Sequence, residues 1–242
     1  MKTLRNFSDK EISNFKEEYK KNDCLIIKEG LTPEFIKLLK ENVKFNIDND
    51  CNYIAKFGNT ANPERRLYTS GGINKINEYE IEYGYYHDDL HNFLKKIISD
   101  KIYKTYGFFT KYISGNMLLP HLDLITNEIT VTSCYFCNEE YPIYVCKDYI
   151  ENFYNDRYTV DIDFIKNKEA FKLNLQIGDI AIFNGRNHLH YREKNDKPNL
   201  DYRISLNHFS ITKQNDYIHK AYKEVPFENG KFSNGKFGPL YI

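Results

Sequence analysis

Hydrophobic and polar positions follow a helical spacing near the start of this chain and a strand-like spacing after about residue 100. Ser8 and Glu11 are three residues apart and form a capping box, which predicts a helix that runs to about Lys21. Thr32 followed by Pro33 is a second helix start, because threonine is a good N-cap and proline fits the first turn. Both helices are expected to be scaffold.

A third helix is predicted over residues 88–98. Its apolar residues recur at i, i+3, i+4, i+7 and i+8, which places them on one side of the helix: Leu90, Phe93, Leu94, Ile97 and Ile98. The short apolar run Cys24–Ile27 predicts a strand. Residues 46–86 show no clear period, and the two glycines at 71–72 interrupt any long element there.

Short β-rich runs separated by turns follow one another from residue 102 onward, and several of them alternate apolar and polar residues. The predicted strands are 102–113, 116–124, 128–136, 142–146, 171–175, 179–183, 188–192 and 202–212. Seven or eight such strands predict a β-sandwich or barrel with flanking helices. Residues 147–170 form a charged and aromatic insertion, and insertions of this length at a barrel mouth often act as lids.

The composition argues against two classes of partner, although it leaves a specific RNA site open. Lysine and arginine together number 34, as do aspartate and glutamate, so the formal net charge is zero and no basic stripe stands out. We therefore expect no nucleic-acid partner, since duplex DNA is bound through clustered positive charge. No run approaches the roughly 18 apolar residues that cross a bilayer, and the N-terminus lacks a secretory signal, so we expect a cytoplasmic protein without a membrane partner.

The five cysteines support the same interpretation. An odd number without an export signal predicts reduced thiols: Cys24, Cys51, Cys134, Cys137 and Cys146. Cys134 and Cys137 have CxxC spacing, but residues i and i+3 of a regular strand face opposite sides. Joint metal binding by these two is therefore not expected.

A His-x-Asp triplet lies within the second predicted strand after residue 102. Residues i and i+2 of a strand face the same side, so His121 and Asp123 are expected to stand together while Leu122 faces away. One imidazole and one carboxylate make two thirds of the 2-His-1-carboxylate triad that holds non-haem Fe(II).

Two later segments offer the remaining groups. The strand over 179–183 is followed by a turn and by His188 and His190, either of which could supply a second imidazole. Arg203 and Ser205 share a face of the next strand, and an arginine beside a hydroxyl suits a carboxylate because the guanidinium binds both oxygens.

The ordered set of His-x-Asp, a Gly-Asp strand, a distal histidine and Arg-x-Ser resembles the Fe(II)- and 2-oxoglutarate-dependent dioxygenases, including the prolyl-hydroxylase-like branch. The resemblance covers roughly residues 105–212. It implies a mainly β fold with flanking helices (α+β), in which a double-stranded β-helix of the jelly-roll, cupin-like type carries N-terminal helices packed on it. It also implies Fe(II), 2-oxoglutarate as co-substrate, and O2.

The resemblance assigns roles residue by residue. His121, Asp123 and His190 would bind the metal, because in related oxygenases the metal histidine leads a His-aromatic-Arg-Glu sequence such as the one that begins at His190. His188 remains the alternative distal ligand. Arg203, Ser205 and Tyr112 would bind 2-oxoglutarate; Tyr112 lies nine residues before His121.

The interval from His190 to Arg203 is thirteen residues, somewhat longer than the family's usual interval. Arg192 is therefore the reserve candidate for the 2-oxoglutarate carboxylate. No catalytic residue beyond the metal ligands is assigned.

The resemblance implies a hydroxylase that acts on a small molecule, such as an amino acid or a natural-product intermediate, with release of succinate and CO2. Related halogenases have a small residue where Asp123 stands, so this carboxylate favours hydroxylation, desaturation or ring closure. The alternatives are a protein or peptide hydroxylase and a non-catalytic metal-binding jelly-roll protein. We expect one domain over 1–242, with a helical part at 1–100, the jelly-roll core at 101–215 and a tail at 216–242.

Overall fold

Three helices precede most of the strands. The computed structural model describes residues 2–43, 73–74, 80–124, 126–150, 158–212, 227–228 and 231–232. Helices α1 (Asp9–Asn22), α2 (Pro33–Asn42) and α3 (Glu80–Ile97) flank strand β1 (Cys24–Ile27) and the two-residue strand β2 (Ile73–Asn74).

The predicted helix starts are confirmed. Ser8 and Glu11 form the reciprocal capping box of α1, and the Thr32 side chain accepts a hydrogen bond from the backbone N–H of Phe35 at the start of α2. Helix α3 begins eight residues before the predicted start at 88. Tyr86, fully buried like Leu90, extends the apolar stripe of α3 back by one turn.

The strands form two antiparallel sheets and a short hairpin. The remaining strands in chain order are β3 (Tyr103–Ile113), β4 (Leu118–Leu122), β5 (Ile129–Cys137), β6 (Ile143–Tyr149), β7 (Tyr158–Thr159), β8 (Ala170–Leu173), β9 (Ile180–Asn184), β10 (His188–Arg192), β11 (Asp201–Ser210), β12 (Phe227–Glu228) and β13 (Lys231–Phe232). The six-stranded sheet has the order β1-β9-β5-β11-β3-β2, and the five-stranded sheet has the order β7-β4-β10-β6-β8. Each of the eight predicted strands after residue 102 corresponds to one of these strands.

Two apolar layers hold the architecture together. The helices cover the outer face of the six-stranded sheet, where Phe35, Leu90 and Leu94 pack against strand residues such as Val131 and Ile182. The second layer lies between the two sheets and includes Val145, Phe183 and Ile204. Burial of both faces explains the α+β jelly-roll arrangement, because each sheet removes apolar area from water on the side that faces its neighbour.

One expectation about the strands is wrong. Cys134 and Cys137 pack on the same layer between the sheets, whereas a regular strand would turn them to opposite sides. The register of β5 against β11 shifts between Arg203 and Ile204, so β5 carries one extra residue there. This β-bulge reverses the alternation and brings the two thiols together.

The predicted insertion at 147–170 lies beside the His-x-Asp strand. Its strand β7 pairs with β4, and Thr159 is the register partner of His121. A short 3-10 helix follows at Ile162–Ile165. Residues 151–157 of the insertion lie outside the described residues, as do Cys51 and most of the tail at 216–242. No helix within the described ranges is long and apolar enough to cross a membrane.

Candidate metal centre

His121 and His190 face each other across neighbouring strands. They are direct register partners in the β4–β10 pair, and their ring centroids lie 4.1 Å apart. Asp123 follows directly after β4, where its backbone N–H donates to the carbonyl of Gly185 at 2.8 Å. Strand pairing therefore joins two sequence segments that are almost 70 residues apart.

The three side chains form a compact and buried cluster. One ligand atom from each of His121, Asp123 and His190 lies within 4.8 Å of the others. Nε2 of His121 is 3.5 Å from Oδ1 of Asp123, and Nε2 of His190 is 3.6 Å from Oδ2. All three residues are less than 8% exposed: His121 3%, Asp123 7%, His190 3%.

The two imidazoles make their backbone hydrogen bonds through Nδ1. Nδ1 of His121 is 2.8 Å from the carbonyl oxygen of Leu119, and Nδ1 of His190 is 3.1 Å from the carbonyl oxygen of His188. A carbonyl oxygen only accepts, so each Nδ1 carries the proton and donates. In the neutral ring Nε2 then presents its lone pair, which is the tautomer that a metal requires.

The Asp123 carboxylate is held from the opposite sheet. Thr130 on β5 donates its hydroxyl to Oδ2 of Asp123 at 2.6 Å, and Nδ1 of His208 lies 3.1 Å from the same hydroxyl oxygen. Burial alone raises the pKa of the Asp123 carboxyl, but the imidazoles of His190 and His121 outweigh burial and hold that pKa well below its usual range. The carboxyl is therefore ionised, as a metal ligand must be.

The structure brings His190 into the cluster and leaves His188 outside it. Nδ1 of His188 bonds the carbonyl oxygen of Cys146 at 2.9 Å, while Nε2 lies 3.4 Å from Oδ2 of Asp23. The β10–β6 register shifts between these two histidines. The irregular pairing explains why residues two apart have different surroundings.

Arg203 and Ser205 do not lie with the cluster. Arg203 makes a bidentate ion pair with Asp201 at 2.8 and 2.7 Å and lies over the Phe136 ring at 4.8 Å. Ser205 Oγ is 3.5 Å from Nδ2 of Asn207. The physical reason is the alternation of β11, which turns Tyr202 and Ile204 into the layer between the sheets and thus turns Arg203 and Ser205 away from it. The 2-oxoglutarate contacts of these two residues therefore stay a prediction.

Tyr112 does face the interior, and it contacts Arg192. The guanidinium carbon of Arg192 lies 5.0 Å from the centroid of Tyr112, 5.1 Å from that of Tyr141 and 5.0 Å from that of Tyr202. We call these three residues the tyrosine cage. Arg192 is the reserve candidate of the sequence analysis, whereas Tyr141 and Tyr202 were missed.

Three supporting residues at the metal cluster were also missed. Thr130 and His208 reach Asp123 through the β5–β11 pairing, in which they are register partners. Gly185 approaches so closely that a Cβ there would overlap Oδ2 of Asp123. None of them has a local sequence signal; only the register of strands distant in sequence reveals them.

Comparison with known proteins gives structural matches only. No family model and no curated sequence matches this chain. The non-haem α-ketoglutarate-dependent carbocyclase SnoK from nogalamycin biosynthesis superposes with a TM-score of 0.58 at 10% identity, covering 90% of this chain and 92% of SnoK.

Two further matches belong to the same structural group. EctD from S. alaskensis with bound Fe gives a TM-score of 0.57 at 9% identity, covering 86% of this chain and 80% of EctD. A Trichoplax adhaerens prolyl hydroxylase in complex with a hypoxia inducible factor peptide gives a TM-score of 0.52 at 12% identity, covering 90% of this chain and 98% of the hydroxylase chain. At these identities the similarity establishes the fold alone: this chain has a double-stranded β-helix like that of these three structures.

Proposed function

We propose that this protein is an Fe(II)- and 2-oxoglutarate-dependent dioxygenase that hydroxylates an unactivated C–H bond of a small molecule, with release of succinate and CO2. The observation that carries the proposal is the convergence of Nε2 of His121, Nε2 of His190 and the Asp123 carboxylate within one buried site. Two imidazoles and one carboxylate are the ligand set of non-haem Fe(II) oxygenases.

The donor set fits iron in its details. Both Nδ1 atoms are occupied by backbone carbonyls, so the imidazoles are oriented before a metal arrives. When bound, iron and 2-oxoglutarate supply the oxidising chemistry that activates O2 and inserts one oxygen atom into the substrate.

The residues of this chain would bind the metal, orient its ligands and keep water out of the site. His121, Asp123 and His190 would hold the metal from one side and leave positions for co-substrate and O2. Thr130 fixes the Asp123 carboxylate, and the Phe183 ring packs against His190 at a centroid distance of 4.9 Å. The apolar layer between the sheets keeps bulk water from the reacting groups.

Asp123 also restricts the type of reaction. Its carboxylate takes the position where related halogenases have a small residue, so halide has no ligand position there. Hydroxylation is the reaction that we propose, and desaturation or ring closure are the related outcomes; SnoK is itself described as a carbocyclase.

The choice of a small-molecule substrate has support from charge and from two of the structural matches. The chain has no net charge. SnoK is described as a carbocyclase from nogalamycin biosynthesis, and EctD was also solved with the small molecule 5-hydroxyectoine. A peptide substrate is the alternative, as in the Trichoplax complex. A metal-binding protein without turnover is the second alternative.

We further propose a single domain over 1–242 in the cytoplasm. Both apolar layers draw residues from segments at each end of the core, which supports one folding unit. The described cysteines are free thiols, as a reducing compartment requires: Cys24, Cys134, Cys137 and Cys146.

The test of the metal site is anaerobic addition of Fe(II) and 2-oxoglutarate to the purified protein. The wild type should develop a visible charge-transfer band. Asp123→Ala and His190→Ala should abolish it, whereas His188→Ala is the matched control and should retain it. An absent band in the wild type, or a band that survives His190→Ala but not His188→Ala, contradicts the proposal.

Turnover separates the substrate classes. Succinate formation should rise above its uncoupled level with a small molecule from a panel of amino acids and their derivatives, and one equivalent of product should accompany each succinate. Stimulation by peptides alone would favour the peptide hydroxylase, and metal binding without any succinate would favour the binding protein.

A further inference from the structure

The guanidinium of Arg192 lies deep in the described part of the molecule. Its side chain is completely buried, and it is the largest of the fully buried side chains. Nη1 donates to the carbonyl oxygen of Tyr141, but Nε and Nη2 have no hydrogen-bond partner among the described residues. A buried charge without an anion is strongly unfavourable, so these two N–H groups indicate a ligand.

The tyrosine cage does not replace that ligand. Three rings at 5.0–5.1 Å offer cation–π attraction to the guanidinium. Two of their hydroxyls are already committed: Tyr141 donates to the carbonyl of Asn116 at 2.7 Å, and Tyr202 donates to the carbonyl of Leu175 at 3.1 Å. The rings hold the guanidinium in place and leave its Nε–Nη2 edge open, which is an edge that binds both oxygens of a carboxylate.

Arg192 lies on the same face of β10 as the metal ligand His190. Leu189 and Tyr191, the residues of opposite parity, belong to a separate apolar cluster on the other face of this sheet. Two residues along a strand are about 7 Å apart, so His190 and Arg192 can engage the two ends of one small ligand. A short oxo-dicarboxylate has this shape, with a chelating oxo-acid group at one end and a carboxylate at the other.

Charge balance also favours a dianion. Asp123 and Arg192 are the buried acidic and basic residues between the sheets among the described residues, since the other buried acid, Asp179, pairs with Lys28 outside at 2.7 Å. Their charges cancel, so a divalent cation would leave two positive charges there. A dicarboxylate neutralises both.

We propose that Arg192, held in the tyrosine cage, anchors the distal carboxylate of 2-oxoglutarate in place of Arg203. This inference rests on the proposed function, because the near end of the ligand must meet the metal. It moves the anchor from β11 to β10, two residues after the distal histidine. The Nε–Nη2 edge of Arg203 already binds the carboxylate of Asp201.

The experiment measures co-substrate affinity in the absence of turnover. Anaerobic Fe(II) protein is titrated with 2-oxoglutarate and, separately, with 2-oxopentanoate, which has a methyl group in place of the distal carboxylate. Arg192→Met should raise the Kd for 2-oxoglutarate about 10- to 100-fold, as expected for the loss of a charge-assisted hydrogen-bonded pair, and leave the Kd for 2-oxopentanoate unchanged. Arg203→Met is the matched control and should leave both Kd values unchanged.

Each outcome decides between the two proposals. If the wild type binds Fe(II) and 2-oxoglutarate but Arg203→Met loses affinity while Arg192→Met does not, the anchor is Arg203 and this inference is wrong, although the proposed function stands. If the wild type binds Fe(II) but no 2-oxoglutarate, the proposed function itself is wrong.

If Arg192→Met does not fold, two other measurements still test the inference. Arg192→Lys retains the charge but loses the paired N–H groups that bind both carboxylate oxygens. This variant should bind 2-oxoglutarate more weakly than wild type and still prefer it to 2-oxopentanoate. The wild type should prefer 2-oxoglutarate over 2-oxopentanoate by the same factor that Arg192→Met removes. Equal affinity of the wild type for both acids would overturn the inference.

Discussion

The hydroxyl of Thr130 donates a 2.6 Å hydrogen bond to Oδ2 of Asp123 and thereby joins the two sheets at the candidate metal centre. Thr130 lies on the six-stranded sheet, and Asp123 directly follows a strand of the five-stranded sheet. Because the acceptor is ionised, this is a charge-assisted bond of the stronger kind. It orients one metal ligand from the opposite side of the interior.

Thr130→Val should therefore weaken metal binding without removing a ligand. Loss of a supporting hydrogen bond of this kind reduces metal affinity about 10- to 100-fold. Thr132→Val is the matched control: Thr132 lies two residues along on the same strand, its hydroxyl is buried, and it has no hydrogen-bond partner among the described residues. Calorimetric titration with Fe(II) under nitrogen should show the loss in the first variant only; equal affinities would contradict the role of Thr130.

Gly185→Ala should disturb the same carboxylate by a steric route. An added Cβ would overlap Oδ2 of Asp123 and lie 2.5 Å from Oγ1 of Thr130. Overpacking of this kind costs about 1–3 kcal/mol of stability, and here it also displaces a metal ligand.

Gly30→Ala separates the two effects. Its Cβ would lie 2.6 Å from Cδ1 of Ile180, a side chain of the helix-covered layer that does not contact the metal cluster. Urea unfolding should show a loss of stability in both glycine variants, whereas Fe(II) titration should show a loss of affinity only in Gly185→Ala. Normal Fe(II) affinity in Gly185→Ala would mean that Asp123 is not a ligand in this orientation.

The helices, the strands and the His121–Asp123 half of the metal cluster follow from signals that are local in sequence. Alternating strands after residue 102, the capped helix starts and the i, i+2 spacing of His121 and Asp123 each depend on neighbouring residues, and each has a counterpart in the structure. Binding of a metal by that cluster stays a prediction.

The interior around Arg192 could not be predicted in the same way. Tyr202 and Arg203 are adjacent on β11, so only one of them can face the interior. Which one does so depends on which side chain packs better against the opposite sheet. The bulge in β5 shows the same limit, because a single extra residue brings Cys134 and Cys137 together against the regular period. Register and bulges arise from tertiary packing, which a single strand does not encode.

Cys137 should be the most reactive thiol of the described cysteines. A hydrogen bond from the Cys134 thiol lowers the pKa of Cys137 to about 7, while the same contact and burial raise the pKa of Cys134. Since the thiolate is the nucleophile, alkylation of Cys137 by iodoacetamide should reach half its maximal rate near pH 7.

Two variants test the cause of this reactivity. Cys134→Ala removes the donor and should move the alkylation profile of Cys137 to higher pH, and Cys137→Ser should remove the fast-reacting site from the peptide mass spectrum. Burial raises the pKa of Cys24 to about 12, so Cys24 should stay unmodified over the same range and serves as the internal control. An unshifted profile in Cys134→Ala would contradict the contact between the two thiols.

Stability should fall in acid because of His87, a buried histidine of α3. Burial lowers the pKa of His87 to about 3, and its ring packs edge-on against Phe209 with the centroids 4.7 Å apart. In the unfolded chain the pKa of a histidine is about 6.5, so the unfolded state binds a proton that the folded state rejects. The contribution of His87 to the free energy of unfolding is fully present above pH 6.5 and is lost as the pH falls toward 3, at about 1.4 kcal/mol per pH unit.

His87→Phe should remove this part of the acid dependence of the free energy of unfolding, measured by urea titration between pH 7.5 and 4.5 in roughly unit steps. His91→Gln, one turn further along α3 and less buried, should retain it, and an unchanged slope in His87→Phe would show that other groups cause the acid sensitivity.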